Sequence, residues 1–129
     1  MANTITTNKV VDWPRNVVLD IHISGDNSGD ESDYNLVDVS TFSGFGDWSE
    51  VKIMEIQSNL DGFAVQLNWD ATADVEAVRL LNGASFYDWS DHGGLINNSG
   101  SGKTGDIKMV TSGLGAEDGS IILKMKKRG

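Results

Sequence analysis

Two histidines and nineteen acidic residues are the groups in this 129-residue chain most suited to moving protons or holding a metal. His22 and His92 lie far apart, without His-x-x-x-His spacing, and no G-x-S-x-G nucleophile elbow is present. Asp88, Asp91 and His92 gather beside Trp89, and Asp70 follows Trp69. A carboxylate pair flanking an aromatic ring is an arrangement that sugar hydrolysis uses. Aspartates also collect at strand ends to hydrogen-bond turns, and that reading is preferred here. The expectation is a protein that is not an enzyme and has no catalytic residues.

Gly102-Lys103-Thr104 resembles the end of a phosphate-binding loop, G-x-x-x-x-G-K-[ST]. The first glycine of that motif would fall at Asn97, and the loop should open a helix, whereas residues 106–111 alternate like a strand. A turn is expected. The acidic loop from Gly25 to Asp33 offers Asp26, Ser28 and Asp30 as oxygen ligands for a hard cation. As an EF-hand it fails, with Glu31 at the glycine position and Val37 where the bidentate glutamate belongs. A solvated hairpin loop is the preferred reading, so no metal and no cofactor is expected.

Composition narrows the classes further. The absence of cysteine excludes disulfides, thiolate metal sites and cysteine nucleophiles. A net charge of -9 repels phosphate backbones and anionic lipid, so neither nucleic acid nor membrane is an expected partner. The first residues lack the basic and apolar regions of a leader, and no apolar run approaches the ~20 residues that span a bilayer, so an untargeted soluble product is expected. Lys124, Lys126, Lys127 and Arg128 place four of the ten basic residues in the last six positions, a cationic tail on an acidic body.

These groups must be positioned by strands. Val17, Leu19, Ile21 and Ile23 alternate with Val18, Asp20, His22 and Ser24, which predicts a strand over 16–24 covered on one side. Phe63, Val65, Leu67 and Trp69 repeat the pattern, and Asp61-Gly62 before them suits a hairpin from a strand around 51–58, giving a meander. Further strands are expected at 34–40, 106–111 and 120–126, the last with Ile121, Leu123 and Met125 inward. Residues 73–81 fit a strand or a helix face ended by Gly83, with strand favoured. Residues 4–11 are a weaker strand or part of an N-terminal arm over 1–14. With turn signals at short intervals and a single proline, Pro14, the chain reads as all-β: one antiparallel β-sandwich or jelly-roll-like domain over 15–129.

Four tryptophans complete the inventory. Trp69 continues an apolar strand face and should be core, while Trp13, Trp48 and Trp89 follow aspartates near turns, where an exposed ring would mark a contact surface. Trp13, Trp48, Trp89, Lys124, Lys126, Lys127 and Arg128 are therefore the expected partner-binding residues.

The runs Arg15-Asn-Val-Val-Leu19, Leu36-Val-Asp-Val-Ser40, Trp69-Asp-Ala-Thr-Ala-Asp-Val75, Gly93-Gly-Leu-Ile-Asn-Asn98, Gly102-Lys-Thr-Gly-Asp-Ile107 and Ile121-Ile-Leu-Lys124 span nearly the whole chain. In them it resembles small structural proteins of tailed, particularly marine, bacteriophages. The resemblance implies a virion component, most simply a decoration or cement protein on the capsid surface, made in the host cytoplasm. It would bind the major capsid protein and neighbouring copies of itself as a homo-oligomer. The alternatives are a tail or head–tail connector component, or a glycan-binding, host-recognition module using Trp48 or Trp89.

Overall fold

Period-two alternation dominates the chain, and strands such as Asn16–Ser24, Glu50–Leu60 and Asp118–Arg128 bury one face. The structure is a computed structural model; it describes residues 3–27, 29–32, 34–42, 44 and 50–128, with the Arg128 side chain outside that description. In chain order the strands are β1 (Thr4–Asp12), β2 (Asn16–Ser24), β3 (Tyr34–Val37), β4 (Glu50–Leu60), β5 (Ala64–Trp69), β6 (Val75–Leu80), β7 (Gly83–Asp88), β8 (Ile107–Ser112) and β9 (Asp118–Arg128). Short 3₁₀ turns occupy Val39–Thr41 and Ser90–His92. The strands form a five-stranded sheet, β1-β2-β9-β4-β7, and a four-stranded sheet, β3-β8-β5-β6, with antiparallel pairing throughout.

With β1 set aside, the strand orders β2-β9-β4-β7 and β3-β8-β5-β6 are those of an eight-stranded jelly roll. β1 is an added edge strand on the larger sheet. The space between the sheets is filled by apolar side chains. Val17, Leu19, Ile21 and Ile23 of β2 meet Ile121, Leu123 and Met125 of β9 in one layer, and Val65, Leu67, Trp69, Ile107 and Met109 belong to the other, all at most 2% exposed.

The expected all-β sandwich is present, and β2 has the predicted limits. The strand-or-helix choice at 73–81 resolves as β6, and residues 4–11, left between strand and arm, belong to β1, which pairs with β2. The expected strand at 34–40 stops at Val37, where Asp38 caps a 3₁₀ turn by accepting from Ser40 N–H at 3.1 Å.

Two expectations need correction. The meander is absent: β4 and β5 lie in different sheets, so Asp61-Gly62 turns the chain across the sandwich rather than back along one sheet. Gly62 takes φ +84°, a conformation that favours glycine, and its N–H donates to Asn82 Oδ1 at 2.8 Å. Nor is the basic segment 124–128 a tail. It is the last part of β9, paired with β2 through Lys126 and with β4 through Arg128. Strand β7 was not anticipated.

The acidic loop is sewn to the domain. Asp30 Oδ1 accepts from Leu114 N–H at 2.7 Å and from the Thr111 hydroxyl at 3.1 Å, and Thr111 Oγ1 accepts from Glu31 N–H at 2.7 Å. The bond from Leu114, helped by Gly113 and Thr111, holds the Asp30 carboxyl below its ordinary value. Ser28 and Asp33 lie outside the described residues.

At the other end of the smaller sheet, burial pushes the Asp106 carboxyl above its ordinary value, against the hydrogen bond it accepts from Val39 N–H at 3.0 Å; Asp38 and Asp70 add like-charge repulsion. Between the ordinary value of 3.8 and this raised one, the folded chain holds the extra proton, so Asp106 costs stability as pH rises through the raised value. Asp106→Asn, which keeps an acceptor for Val39, should raise the melting temperature at pH 7 by about 1–3 °C. Thermal scans across pH should show that gain vanishing below about pH 4.

Candidate interaction face

The open surface of the five-stranded sheet is built by register. Val11, Val18, Lys124, Glu55 and Asp88 follow one another across β1, β2, β9, β4 and β7. The next outward row is Asn8, Asp20, Ile122, Gln57 and Phe86. Apolar groups therefore stand in outward positions at Val11, Val18, Ile122 and Phe86, where strict alternation would place polar ones.

At the β1–β2 end this face sinks into a groove of about 440 Å³, lined chiefly by Val11, Trp13, Val18, Met54, Lys124 and Lys126. Register shifts between Lys9 and Val11 in β1 and between Ile53 and Glu55 in β4 flank it, the kind of irregularity that re-aims side chains at a sheet surface. Trp13 tops the β1–β2 turn and is 63% exposed. A second depression of about 320 Å³ lies on the same face beside Phe86, which is 60% exposed, with Gln57, Asn59, Ser120 and Ile122 around it.

The turn carrying Trp13 is pinned from below. Lys127 Nζ reaches Asp12 Oδ1 at 2.7 Å and donates to the Trp13 carbonyl at 2.7 Å, and its side chain is only 2% exposed. Its backbone N–H donates to the Arg15 carbonyl at 2.7 Å, and Trp13 N–H to the Asn16 carbonyl at 2.9 Å. Lys127, expected to meet a partner, is thus committed within the chain, because its parity in β9 turns it toward Asp12. Its ammonium ties the backbone of the Trp13 turn to β9.

The remaining expected contact residues separate clearly. Lys124 is exposed and pairs with Glu55 at 3.1 Å, leaving a neutral pair on the groove wall. Lys126 is exposed, and among the described residues no carboxylate pairs with it. Trp89 is half-buried, stacked on Tyr87 with ring centroids 5.6 Å apart. Its N–H donates to the Met54 carbonyl, and its own carbonyl accepts from His92 and Gly94 N–H groups, each at 2.9 Å. It anchors a turn more than it offers a platform. Trp48 lies outside the described residues.

Asp88, Lys103 and Thr104 are tied into turns and ion pairs. Asp88 accepts from Ser90 N–H at 2.8 Å, and the Ser90 side chain and N–H hold its carboxyl below the ordinary value. Asp91 and His92 are exposed on the 3₁₀ turn. Lys103 pairs with Glu50 at 3.2 Å and Thr104 Oγ1 donates to Asp70 at 2.8 Å, so Gly102-Lys103-Thr104 is a turn, with β8 following and no helix. No three His, Cys, Asp or Glu side chains converge in a metal-holding group among the described residues.

Val11, Val18, Met54, Glu55 and Phe86 line this face without having been among the expected contact residues. The available signal was apolar residues at outward strand positions, Val18 and Ile122 above all.

No protein-family model matches the chain, and no curated protein matches it. Among solved structures it is similar to a cupin domain from Bordetella pertussis Tohama I, with a TM-score of 0.40 and 8% identity over 100% of this chain and 98% of that one. It is also similar to cobalt(II) HppE in complex with Tris buffer, with a TM-score of 0.35 and 12% identity over 95% of this chain; there it spans about half, 52%, of that chain. At these scores neither likeness transfers a site or an activity.

Proposed function

We propose that this chain is a structural component of a tailed-bacteriophage virion that decorates the capsid, binding major capsid subunits and neighbouring copies through the outer face of its five-stranded sheet. The observation that carries this reading is the groove on that face: an exposed Trp13 fixed by Lys127, beside a Lys126 with no acidic partner among the described residues, on a chain of net charge -9. The sandwich interior is packed with apolar side chains, which leaves the surface to provide binding. The sequence resemblance to phage structural proteins supplies the setting. Copies arrayed on a shell gain from repeated contacts even when each is weak.

The test is attachment to purified particles. The wild-type chain should co-sediment with them in high copy number. Trp13→Ala combined with Lys126→Glu should weaken attachment by about tenfold or more, the scale of losing an aromatic anchor and a complementary charge. Unchanged attachment would remove this face from the account. Trp13-dependent binding on a glycan array, without binding to particles, would favour host recognition instead.

A further inference from the structure

β1 stands outside the eight strands of the jelly roll, and among the described residues no strand pairs with its far edge. Thr4, Thr6, Thr7, Asn8, Lys9 and Val10 are all exposed, so most of the strand is thinly covered, with Ile5 against the core and Lys9 Nζ donating to the Thr41 carbonyl at 3.1 Å as its contacts on the inner face. Its order comes largely from one ladder with β2, while fixing each residue costs about 1–2 kcal/mol of conformational entropy. A second ladder on the free side would complete it.

The other three sheet edges are less suited to such pairing. β3 has four residues and a register shift, and β6 carries Glu76 and Arg79. β7 has six residues, beginning with Gly83 and ending at Asp88. β1 has nine residues, and from Asn3 to Val11 its sole charged side chain is Lys9. On a chain of net charge -9, this is an edge where two copies can meet without opposing carboxylates. Natural proteins blunt such edges with lysine and bulges, and here both devices fall in the second half: Lys9, and the shift between Lys9 and Val11. Thr4 to Asn8 is left unguarded.

We propose that the free edge of β1 pairs antiparallel with the same edge of a second copy, about a two-fold axis at Thr6. Thr6 then faces its own counterpart, Ile5 faces Thr7 and Thr4 faces Asn8, pairs that suit an antiparallel ladder. Two five-stranded sheets become one of ten strands. The contact is small, so the dimer is weak in solution and gains strength where copies are held side by side. It rests on the virion reading for its setting, but its test uses the purified chain alone, so a monomeric chain and a chain absent from particles are separate failures.

The chain has no cysteine, so Thr6→Cys introduces a single thiol. Opposed Cβ atoms in an antiparallel pair lie about 4.5–5.5 Å apart, close enough for small backbone motion to allow a disulfide. Under mild oxidation Thr6→Cys should give a covalent dimer several-fold faster than Asp91→Cys, a control on the exposed 3₁₀ turn. Sedimentation of the wild-type chain should show a dimer at high micromolar concentration that Thr6→Lys abolishes by opposing like charges. A monomer at every concentration would overturn the proposal. So would a dimer that survives Thr6→Lys and that Thr6→Cys cross-links no faster than the control.

Discussion

Lys127→Ala is expected to lower unfolding free energy by about 3 kcal/mol, the scale of removing one partner from a buried ion pair. The Lys127 side chain is 2% exposed and lies 2.7 Å from Asp12, which is 18% exposed. Without the ammonium, Asp12 loses its close cationic partner, Lys9 standing farther off at 3.9 Å, and the Trp13 carbonyl loses a donor. Lys127→Met would retain much of the packing and still lose the charge, so a similar cost is expected of it. Pairing it with Asp12→Leu should recover a large part of the loss, because an apolar pair of similar volume often replaces a buried ion pair at little cost. Urea titration followed by tryptophan fluorescence measures all three. A cost below about 1 kcal/mol for Lys127→Ala would mean that the pair behaves as an exposed one.

Trp69→Ala is expected to cost about 3–5 kcal/mol, a large share of the ~5–15 kcal/mol that holds a domain of this kind together. Trp69 ends β5 between Val75 of β6 and Ile107 of β8 and is 1% exposed, so truncation leaves a void where the smaller sheet meets the larger. Trp13→Ala should change stability by no more than about 0.5 kcal/mol, since that ring is 63% exposed. The same denaturant titration separates them. Similar costs for the two would contradict the division of the tryptophans into packing and contact roles.

That division was partly legible in the chain. Trp69 extends a period-two apolar face, and burial follows from parity alone. β2 was readable to its ends because Val17, Leu19, Ile21 and Ile23 alternate with mostly polar neighbours. β7 was not, because Phe86 and Tyr87 are adjacent on opposite faces of an edge strand and both are exposed, leaving no alternation to detect. Asp61-Gly62 marks a reversal correctly, but a turn says only where the chain bends. The partner strand is chosen by long-range pairing, here β4 with β9 and β5 with β8. The candidate site suffered from the same limit: Lys127 looks like its neighbours Lys124 and Lys126 until Asp12, 115 residues away, is placed beside it.

Single-particle cryo-electron microscopy of purified virions decides which face of the domain meets the shell. Many copies are expected on the shell, each with the outer face of β1-β2-β9-β4-β7 toward its neighbours and Trp13 and Lys126 in contact with capsid subunits. Copies confined to one vertex, copies held by the smaller sheet with the Trp13 groove open to solvent, or particles without the chain would contradict that arrangement.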